Sequence, residues 1–563
     1  MASLRNALSM LIVGTLVFAL GACSGGSENS TERSPGQSSS SAAPTSTPAT
    51  VRAAADCALT FSSLAKPQAI GTDPLLAQQW HLINTGQSNG TVGEDTRATL
   101  AWPSSRGAGV WIAVTDVGID LTHPDLMPNL VADESYNYLD ADGRGVHWPL
   151  PCTAQDTHGT AVAGIALARD GNAMGGAGLA PRASLVAYNA LSMNDDASLA
   201  DAMTRGKNNQ IWLNSWGSPD TGSPQAAPRI WQQAIDEGLR NARAGRGAIY
   251  VFPGGNGGQI DVYSASGRVA ARITDDSNLD GYANKRGVIA VCSVDDRGMA
   301  PSYAERGANL LVCAPGEGHS ADITTTTLTD AYTSSFAGTS ASAPMVSGVA
   351  ALMLAVNPSL TWRDVQRILS KTARLNQPND SGWIAGAGIR YNHQYGFGVV
   401  DADAAVRTAK SWVSVGGSAQ QRVCGPYSAA PATPIPDAGS FSTPGAPVLS
   451  SLATPGCGIS EVEFVEVDFS ADHPYAGDLR IRLFSPNQLV SQLATERACG
   501  TDVPEANNPC KVSYQDWRFG SVRHLGEPLN RASAAGPWTL EVSDHGPGDT
   551  GVLSRWSLTL YGS

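Results

Sequence analysis

Three stretches of the chain carry the residue types that can activate a hydroxyl, in the order Asp, His, Ser. The first, Val114-Thr115-Asp116-Val117-Gly118-Ile119-Asp120, is an apolar strand that delivers an acid and then a glycine at its end, the place where open α/β sheets put their active sites. The second is His158-Gly159-Thr160, followed by Ala163 and Gly164, whose small side chains suit a helix packed closely at its start. The third, Gly338-Thr339-Ser340-Ala341-Ser342-Ala343-Pro344, sets a hydroxyl on a turn that opens a helix, whose first amides are free to face developing negative charge. Pro344 falls in or about the first turn, where a missing amide costs little. A serine hydroxyl is a poor nucleophile until a base takes its proton. An imidazole can do so if a carboxylate fixes its tautomer and stabilises the cation formed. Singly, the Asp reads as a turn or cap, the His as structural and the Ser as an N-cap. Together, in this order, they point to nucleophilic acyl transfer.

Groups so far apart in the chain act together only if a fold gathers them. From about Thr72 to Trp412, apolar or β-branched runs such as Val110 to Thr115, Ser184 to Tyr188, Ala248 to Phe252 and Val288 to Val291 alternate with helix-like segments. That alternation predicts an α/β domain over 72–412, a doubly wound, mainly parallel sheet with helices on both faces. Thr339 to Val356 reads as one helix and Trp362 to Ala373 as another, with Thr361 as its N-cap. The pattern changes after Trp412. Ser428 to Pro447 is rich in Pro, Ala, Ser and Thr, and residues 413–447 read as a linker. Short alternating runs such as Val462 to Phe469 and Leu479 to Phe484 then predict an all-β sandwich over 448–563.

Composition bounds the partners. The 563 residues hold 37 Lys and Arg against 50 Asp and Glu, a formal charge of −13 with no basic stripe, which argues against nucleic acid. Met1 to Cys23 reads as an export signal, with Arg5, an apolar segment from Leu8 to Leu20, and small residues before Cys23. Its run Leu20-Gly21-Ala22-Cys23 resembles the lipobox of bacterial lipoproteins. That implies a lipid on Cys23 and a membrane anchor; Ser24 favours an outer membrane where there are two. Residues 24–71 read as a tether, since Ser24 to Thr50 is nearly all Ser, Thr, Gly, Pro and Ala. Of 9 cysteines, those other than Cys23 make an even set in an exported chain, which favours disulfides over metal ligation. Proximity favours Cys499 with Cys510 and Cys424 with Cys457. Cys292 and Cys313 are a third candidate pair and leave Cys57 for Cys152, a connectivity that sequence does not prove.

With Val251-Phe252-Pro253-Gly254-Gly255-Asn256-Gly257-Gly258 added, the motifs resemble the subtilisin-type serine proteases, and within them the kexin- and furin-like proprotein convertases, over about residues 70 to 563. The resemblance implies that Asp116 orients His158, that His158 is general base and then acid, and that Ser340 is the nucleophile. Asn256 then corresponds to the oxyanion donor that works with the Ser340 amide. Asn214-Ser215-Trp216-Gly217-Ser218-Pro219-Asp220 resembles the convertases' substrate-binding strand, where Ser215, Trp216 and Gly217 would bind an extended peptide by main-chain hydrogen bonds. Asp275-Asp276-Ser277-Asn278-Leu279-Asp280-Gly281-Tyr282 is similar to the segment whose last acid lies at the base of the S1 pocket, so Asp280 would pair with Arg or Lys at P1. Asp220, Asp275 and Glu305 match the ligands of a calcium ion. Hard oxygen ligands and the absence of a His/Cys cluster suit that ion. A second calcium site is implied at Asp73, Asp125, the Asn172 side chain and the carbonyls of Arg169, Met174 and Gly176.

Departures from that pattern set further expectations. Where the convertases carry a second acid after the triad Asp this chain has Val117, and near His158 it has Gln155 with Asp156 one place on. A basic P2 is therefore less strictly enforced. The C-terminal region resembles the convertases' P (homo B) domain, in Asp472-His473-Pro474, Gly477-Asp478-Leu479, Leu483-Phe484-Ser485-Pro486, Gly536-Pro537-Trp538-Thr539-Leu540 and Gly551-Val552-Leu553. It implies structural support for the catalytic domain, and Trp517, Trp538 and Trp556 read as core. Between Cys23 and Thr72 the chain is short and polar for the propeptide usual in such proteases, so a separate folding assistant, or unaided folding, is expected. The competing readings are an inactive exported binding or adhesion protein, and an esterase or amidase. The latter is disfavoured because esterase nucleophiles usually sit in GxSxG with another chain order.

Overall fold

The computed structural model describes residues 51–52, 59–61, 71–139, 148–193, 195–264, 266–497, 508, 510–529 and 536–563. The signal segment with Cys23, residues 24–50 of the tether, Cys57 and Cys499 lie outside the described residues. The catalytic half is framed by β1 (Trp111–Asp116), β2 (Tyr136–Asn137), α1 (His158–Leu167), β3 (Ser184–Asn189), α2 (Asp196–Ala202), β4 (Ile211–Asn214), α3 (Arg229–Asn241), β5 (Ile249–Pro253), β6 (Val288–Val294), β7 (Leu310–Pro315), α4 (Thr339–Val356), α5 (Trp362–Thr372) and α6 (Ala402–Lys410). Its strands form one sheet in the order β7-β6-β5-β4-β1-β3-β2, with every pair parallel. This is the α/β sheet that the sequence predicts. Continuous apolar runs suit it, because helices cover both faces: β6 is buried throughout and β1 everywhere after Trp111.

β1 lies between β3 and β4, so the chain leaves it on one side and later returns on the other. Such a reversal opens a crevice at the carboxyl ends of the strands, and Asp116 is the last residue of β1. α1 and α4 pack against each other and are apolar on nearly every side. α4 is long and apolar enough to cross a membrane, yet 83% of it is buried inside the protein, as a core helix would be. α5 opens on a reciprocal cap, in which Thr361 Oγ1 accepts from the Asp364 amide and the Asp364 carboxylate accepts from the Thr361 amide.

The C-terminal half is a sandwich of β8 (Arg422–Ala429), β9 (Thr433–Ile435), β10 (Val448–Ala453), β11 (Val462–Asp472), β12 (Leu479–Phe484), β13 (Val490–Ala494), β14 (Tyr514–Ser521), β15 (Pro537–Asp544) and β16 (Gly551–Gly562). One sheet runs β8-β16-β11-β14 with β9 also on β16, and the other runs β10-β15-β12-β13. Trp517, Trp538 and Trp556 are buried between them. The supposed linker 413–447 is not all connection, because β8 and β9 lie in it and pair with β16. Its prolines hide these strands from a composition reading, since a sheet edge tolerates a missing amide.

The two halves interlock. Arg363 and Arg367 of α5 both reach Glu463 of β11 at 2.6 Å, and all three are buried. Asn278 exchanges two hydrogen bonds of 2.9 Å with the Gly520 backbone. Cys292 pairs with Cys313 across β6 and β7, and Cys424 with Cys457 in the sandwich. Cys152 and Cys510 are each disulfide-bonded.

Candidate active site

The Asp–His pair is assembled by β1 and α1. The Asp116 carboxylate is fully buried and lies 2.9 Å from His158 Nδ1, on a ring whose side chain is 36% exposed. The Val117 amide donates to Asp116 Oδ1 at 2.8 Å. Gly159 makes the approach possible, because a Cβ there would lie 2.3 Å from the Gly118 carbonyl and 2.9 Å from Asp116 Cβ. Enclosure opposes charge on the imidazole, but the Asp116 charge and hydrogen bond outweigh it and raise the His158 pKa above its ordinary value. An imidazole so held can accept a proton and be stabilised as a cation.

Ser340 stands at the second position of α4, after Gly338 with φ of 105°, a conformation natural only to glycine. Pro344 is the sixth residue of the helix, deeper than the sequence reading put it. A proline there removes the amide that would bond the Ser340 carbonyl. That carbonyl instead accepts from Ser215 Oγ at 3.1 Å, and Ser340 Oγ donates to the Ser215 carbonyl at 3.1 Å. The serine hydroxyl is thus parked on the strand end beside it, and among the described residues no hydrogen bond joins it to His158. Catalytic hydrogen bonds commonly tighten only once substrate is present.

Asn256 is exposed on the glycine loop after β5, and its Oδ1 accepts from both the amide and the hydroxyl of Thr339 at 2.9 Å. Among the described residues no acceptor takes the amide group's nitrogen, which can donate. Thr339, adjacent to Ser340, thereby sets the orientation of Asn256, a role that the sequence reading missed. The loop is also pinned from below, since the Gly257 amide donates to Glu305 Oε1 at 2.8 Å.

Asp220, Asp275 and Glu305 surround Gly257, where a Cβ would come within 2.9 Å of each. Burial, then the neighbouring acids, push Glu305 well above the ordinary range, while burial first of all pushes Asp275 up to about 7 and raises Asp220. Asp275 and Glu305 are buried and Asp220 is exposed beside them; like charges so gathered need a cation or protons. The donors are all oxygen, which suits a hard divalent ion such as calcium. Arg497 of the sandwich reaches the Gly222 carbonyl, and Thr495 donates to Asp276 at 2.9 Å. The C-terminal half therefore touches the segment that holds these acids, which no motif announced.

Asp280 receives the Ser218 amide and hydroxyl at 3.0 Å and the Tyr282 amide at 2.7 Å, and burial raises its pKa. It lies against Gly217, where a Cβ would fall 2.4 Å from Asp280 Oδ2. Trp216 acts as wall, with its indole on the Thr115 carbonyl at 3.1 Å and its ring against Phe252 and Tyr282. Asp156 is engaged in its own loop, accepting from the amides of Cys152 and Thr153.

Around the second acidic pair, Asp73 accepts from the amides of Gly171 and Asn172, and Asp125 from Asn172 Nδ2 at 2.6 Å and the Tyr332 hydroxyl at 2.9 Å. No amide donates to the carbonyls of Arg169, Met174 and Gly176 among the described residues. These oxygens fit a calcium site, except that Asn172 presents its nitrogen to Asp125 and its oxygen to the Met174 amide.

Comparison with known proteins decides the family. The subtilase family model matches residues 107–398, and the proprotein convertase P-domain model matches 462–560. The chain belongs to the subtilase family. Neuroendocrine convertase 2 of Bos taurus is 34% identical over 519 residues, 87% of this chain and 74% of that protein. PC3-like endoprotease variants B and A of Hydra vulgaris are each 33% identical, and the aligned chain spans 66% and 59% of their lengths. The serine protease of Aeromonas sobria superposes with a TM-score of 0.75 at 25% identity, covering 88% of this chain and 96% of that one, and a second structure holds it with the chaperone ORF2. This subtilase is a serine-type endopeptidase of the subtilisin/kexin-like kind with a C-terminal P domain. The inactive-binder and esterase readings give way to that membership.

Proposed function

We propose that the protease hydrolyses peptide bonds after Arg or Lys, with calcium, and works as an exported lipoprotein. The observation that carries the basic P1 preference is Asp280, partly buried against Gly217 of the Ser215-Trp216-Gly217 segment that follows β4. An Arg or Lys side chain reaching it would form a charge-assisted pair out of water. On this reading Ser340 Oγ turns from the Ser215 carbonyl to His158, gives up its proton to Nε2 and attacks the scissile carbonyl. Asn256 and the Ser340 amide hold the oxyanion, and His158 returns the proton to the leaving amine. Water then repeats the sequence on the acyl-enzyme. Calcium would be held by Asp220, Asp275 and Glu305, and a second ion by Asp73, Asp125, Asn172 and the carbonyls of Arg169, Met174 and Gly176. Its charge would neutralise acids that pin the Asn256 loop. Because Val117 and Gln155 supply no acid and Asp156 is already engaged, dibasic sites are accepted without strict need for a basic P2.

The lipobox-like run supports anchoring through Cys23, at an outer membrane if two are present. The chaperone bound to the Aeromonas sobria protease supports a separate folding assistant. A peptide-library digest with and without chelator tests specificity and metal together. Equal turnover of Leu and Arg at P1 overturns the role of Asp280, and palmitate incorporation that survives Cys23→Ser overturns the anchor.

A further inference from the structure

The P domain gathers a second set of ionisable groups that peptide hydrolysis does not use. His473 follows β11, Asp478 precedes β12, Asp544 ends β15, and Asp549 precedes β16. One ligand-type atom from each of His473, Asp544 and Asp549 lies within 4.8 Å of the others. His473 Nε2 is 3.3 Å from Asp544 Oδ2 and 3.1 Å from Asp549 Oδ1, and the imidazole is fully buried.

Backbone contacts hold the ring. His473 Nδ1 is 3.0 Å from the Tyr475 carbonyl and 3.2 Å from the Tyr475 amide; in the neutral tautomer that donates from Nδ1 to that carbonyl, Nε2 turns its lone pair toward the carboxylates. A backbone acceptor on the far nitrogen is the usual support of a metal-ligating histidine. Were Nε2 protonated instead, its single N–H could serve only one acid well. The separations are longer than the 2.7–2.9 Å usual for such charged bonds, and Asp549 Oδ1, though buried, accepts no hydrogen bond. With metal–ligand bonds of roughly 2.0–2.1 Å, the edge of a tetrahedron is about 3.3 Å, close to both distances.

Asp478 is a second, independent sign. It is 6% exposed, and its carboxylate accepts no hydrogen bond among the described residues. Two glycines make room: a Cβ at Gly546 would meet the Asp478 carboxylate at 2.2 Å, and one at Gly551 would meet the His473 ring at 2.6 Å. An imidazole among carboxylates favours a borderline ion over calcium. We propose that His473, Asp544 and Asp549, with Asp478 beside them, form a site for one divalent ion of the zinc class. The ion clasps four strands at one end of the sandwich and so stiffens the domain that supports the protease.

The test uses the whole chain carrying Ser340→Ala, stripped with chelator and returned to excess calcium before Zn²⁺ or Co²⁺ alone is added. The expected result is one equivalent of Zn²⁺ retained and a raised Tm, with a visible Co²⁺ absorption band showing imidazole ligation. His473→Gln and, at the more exposed rim, Asp549→Asn should each weaken uptake at least about 10- to 100-fold and abolish the band. Should no Zn²⁺ be retained beyond calcium, or should uptake be the same in both variants, the site is an ion pair closed by a proton and the proposal fails.

Discussion

The buried acids of the catalytic half and those at its seam with the P domain behave in opposite ways. Asp275 and Glu305 are buried and crowd together with Asp220 at the surface beside them; burial drives all three pKa values up, and neighbouring acids add to the rise for Asp275 and Glu305. Glu463 is as well buried, but two arginines of α5 and Gln421 bond its oxygens. Burial alone would raise it, yet the Arg363 hydrogen bond and charge outweigh this and hold it below the usual range. The lesson is that a buried carboxylate to which no cationic side chain is bonded marks a place prepared for something else, whereas a fully partnered one is part of the frame. The same criterion separates Asp478 from Glu527, which takes bonds from His524, Ser485 and Asn487.

If the contrast is sound, changes at the site should move turnover and changes at the seam should move stability. Ser340→Ala should lower peptidase turnover by about 10⁶, the scale of losing a triad nucleophile, with the melting temperature little altered; calorimetry beside a peptide assay reads both. Glu463→Ala should cost about 3–5 kcal/mol in denaturant unfolding, the scale for leaving a buried partner charge alone, while the folded fraction keeps its kcat. A large fall in kcat with unchanged stability would erase the distinction. Asn256→Ala should reduce kcat by about 10² to 10³ with KM nearly constant, and Thr339→Val should give a smaller loss in the same parameter. Removing calcium should destabilise the protein by about 2.7 kcal/mol per site for an ion initially present at a hundred times its Kd. Glu305→Gln should blunt that response, whereas Glu463→Gln should leave it intact.

The smallest effects come from pH. His158 must be neutral to act as base, and its pKa is raised, so kcat/KM should climb with pH through an apparent value above 6.5. The stability that the His158–Asp116 pair confers runs the other way: it is full below the unfolded pKa and lost as pH rises through the folded one. For Glu463 the sign reverses, because a lowered folded pKa confers stability above the unfolded value of 4.5 that disappears as pH falls through the folded one. Thermal melts across pH 4 to 8 on wild type and Glu463→Gln would separate the two trends.

Much of the design was legible from residue types and order. Repeated apolar runs stated the parallel sheet, since strands covered on both faces cannot alternate. Asp116, His158, Ser340 and Asn256 stood out because each lies where a strand ends or a helix begins and is flanked by glycines, which close approach requires. Connections among distant polar atoms were not legible: Thr339 steering Asn256, Ser215 taking the carbonyl that Pro344 frees, Tyr332 on Asp125, and Arg497 crossing from the sandwich. The strands β8 and β9 also escaped, because proline-rich edges look like linker.

The sequence by itself determined which chemistry the chain carries and in what kind of fold, because local periodicity and motif spacing act within a few residues. Only the tertiary structure decided which charges are compensated. Compensation depends on distances between elements hundreds of positions apart and on how far water is excluded from them, and neither is written in any one segment.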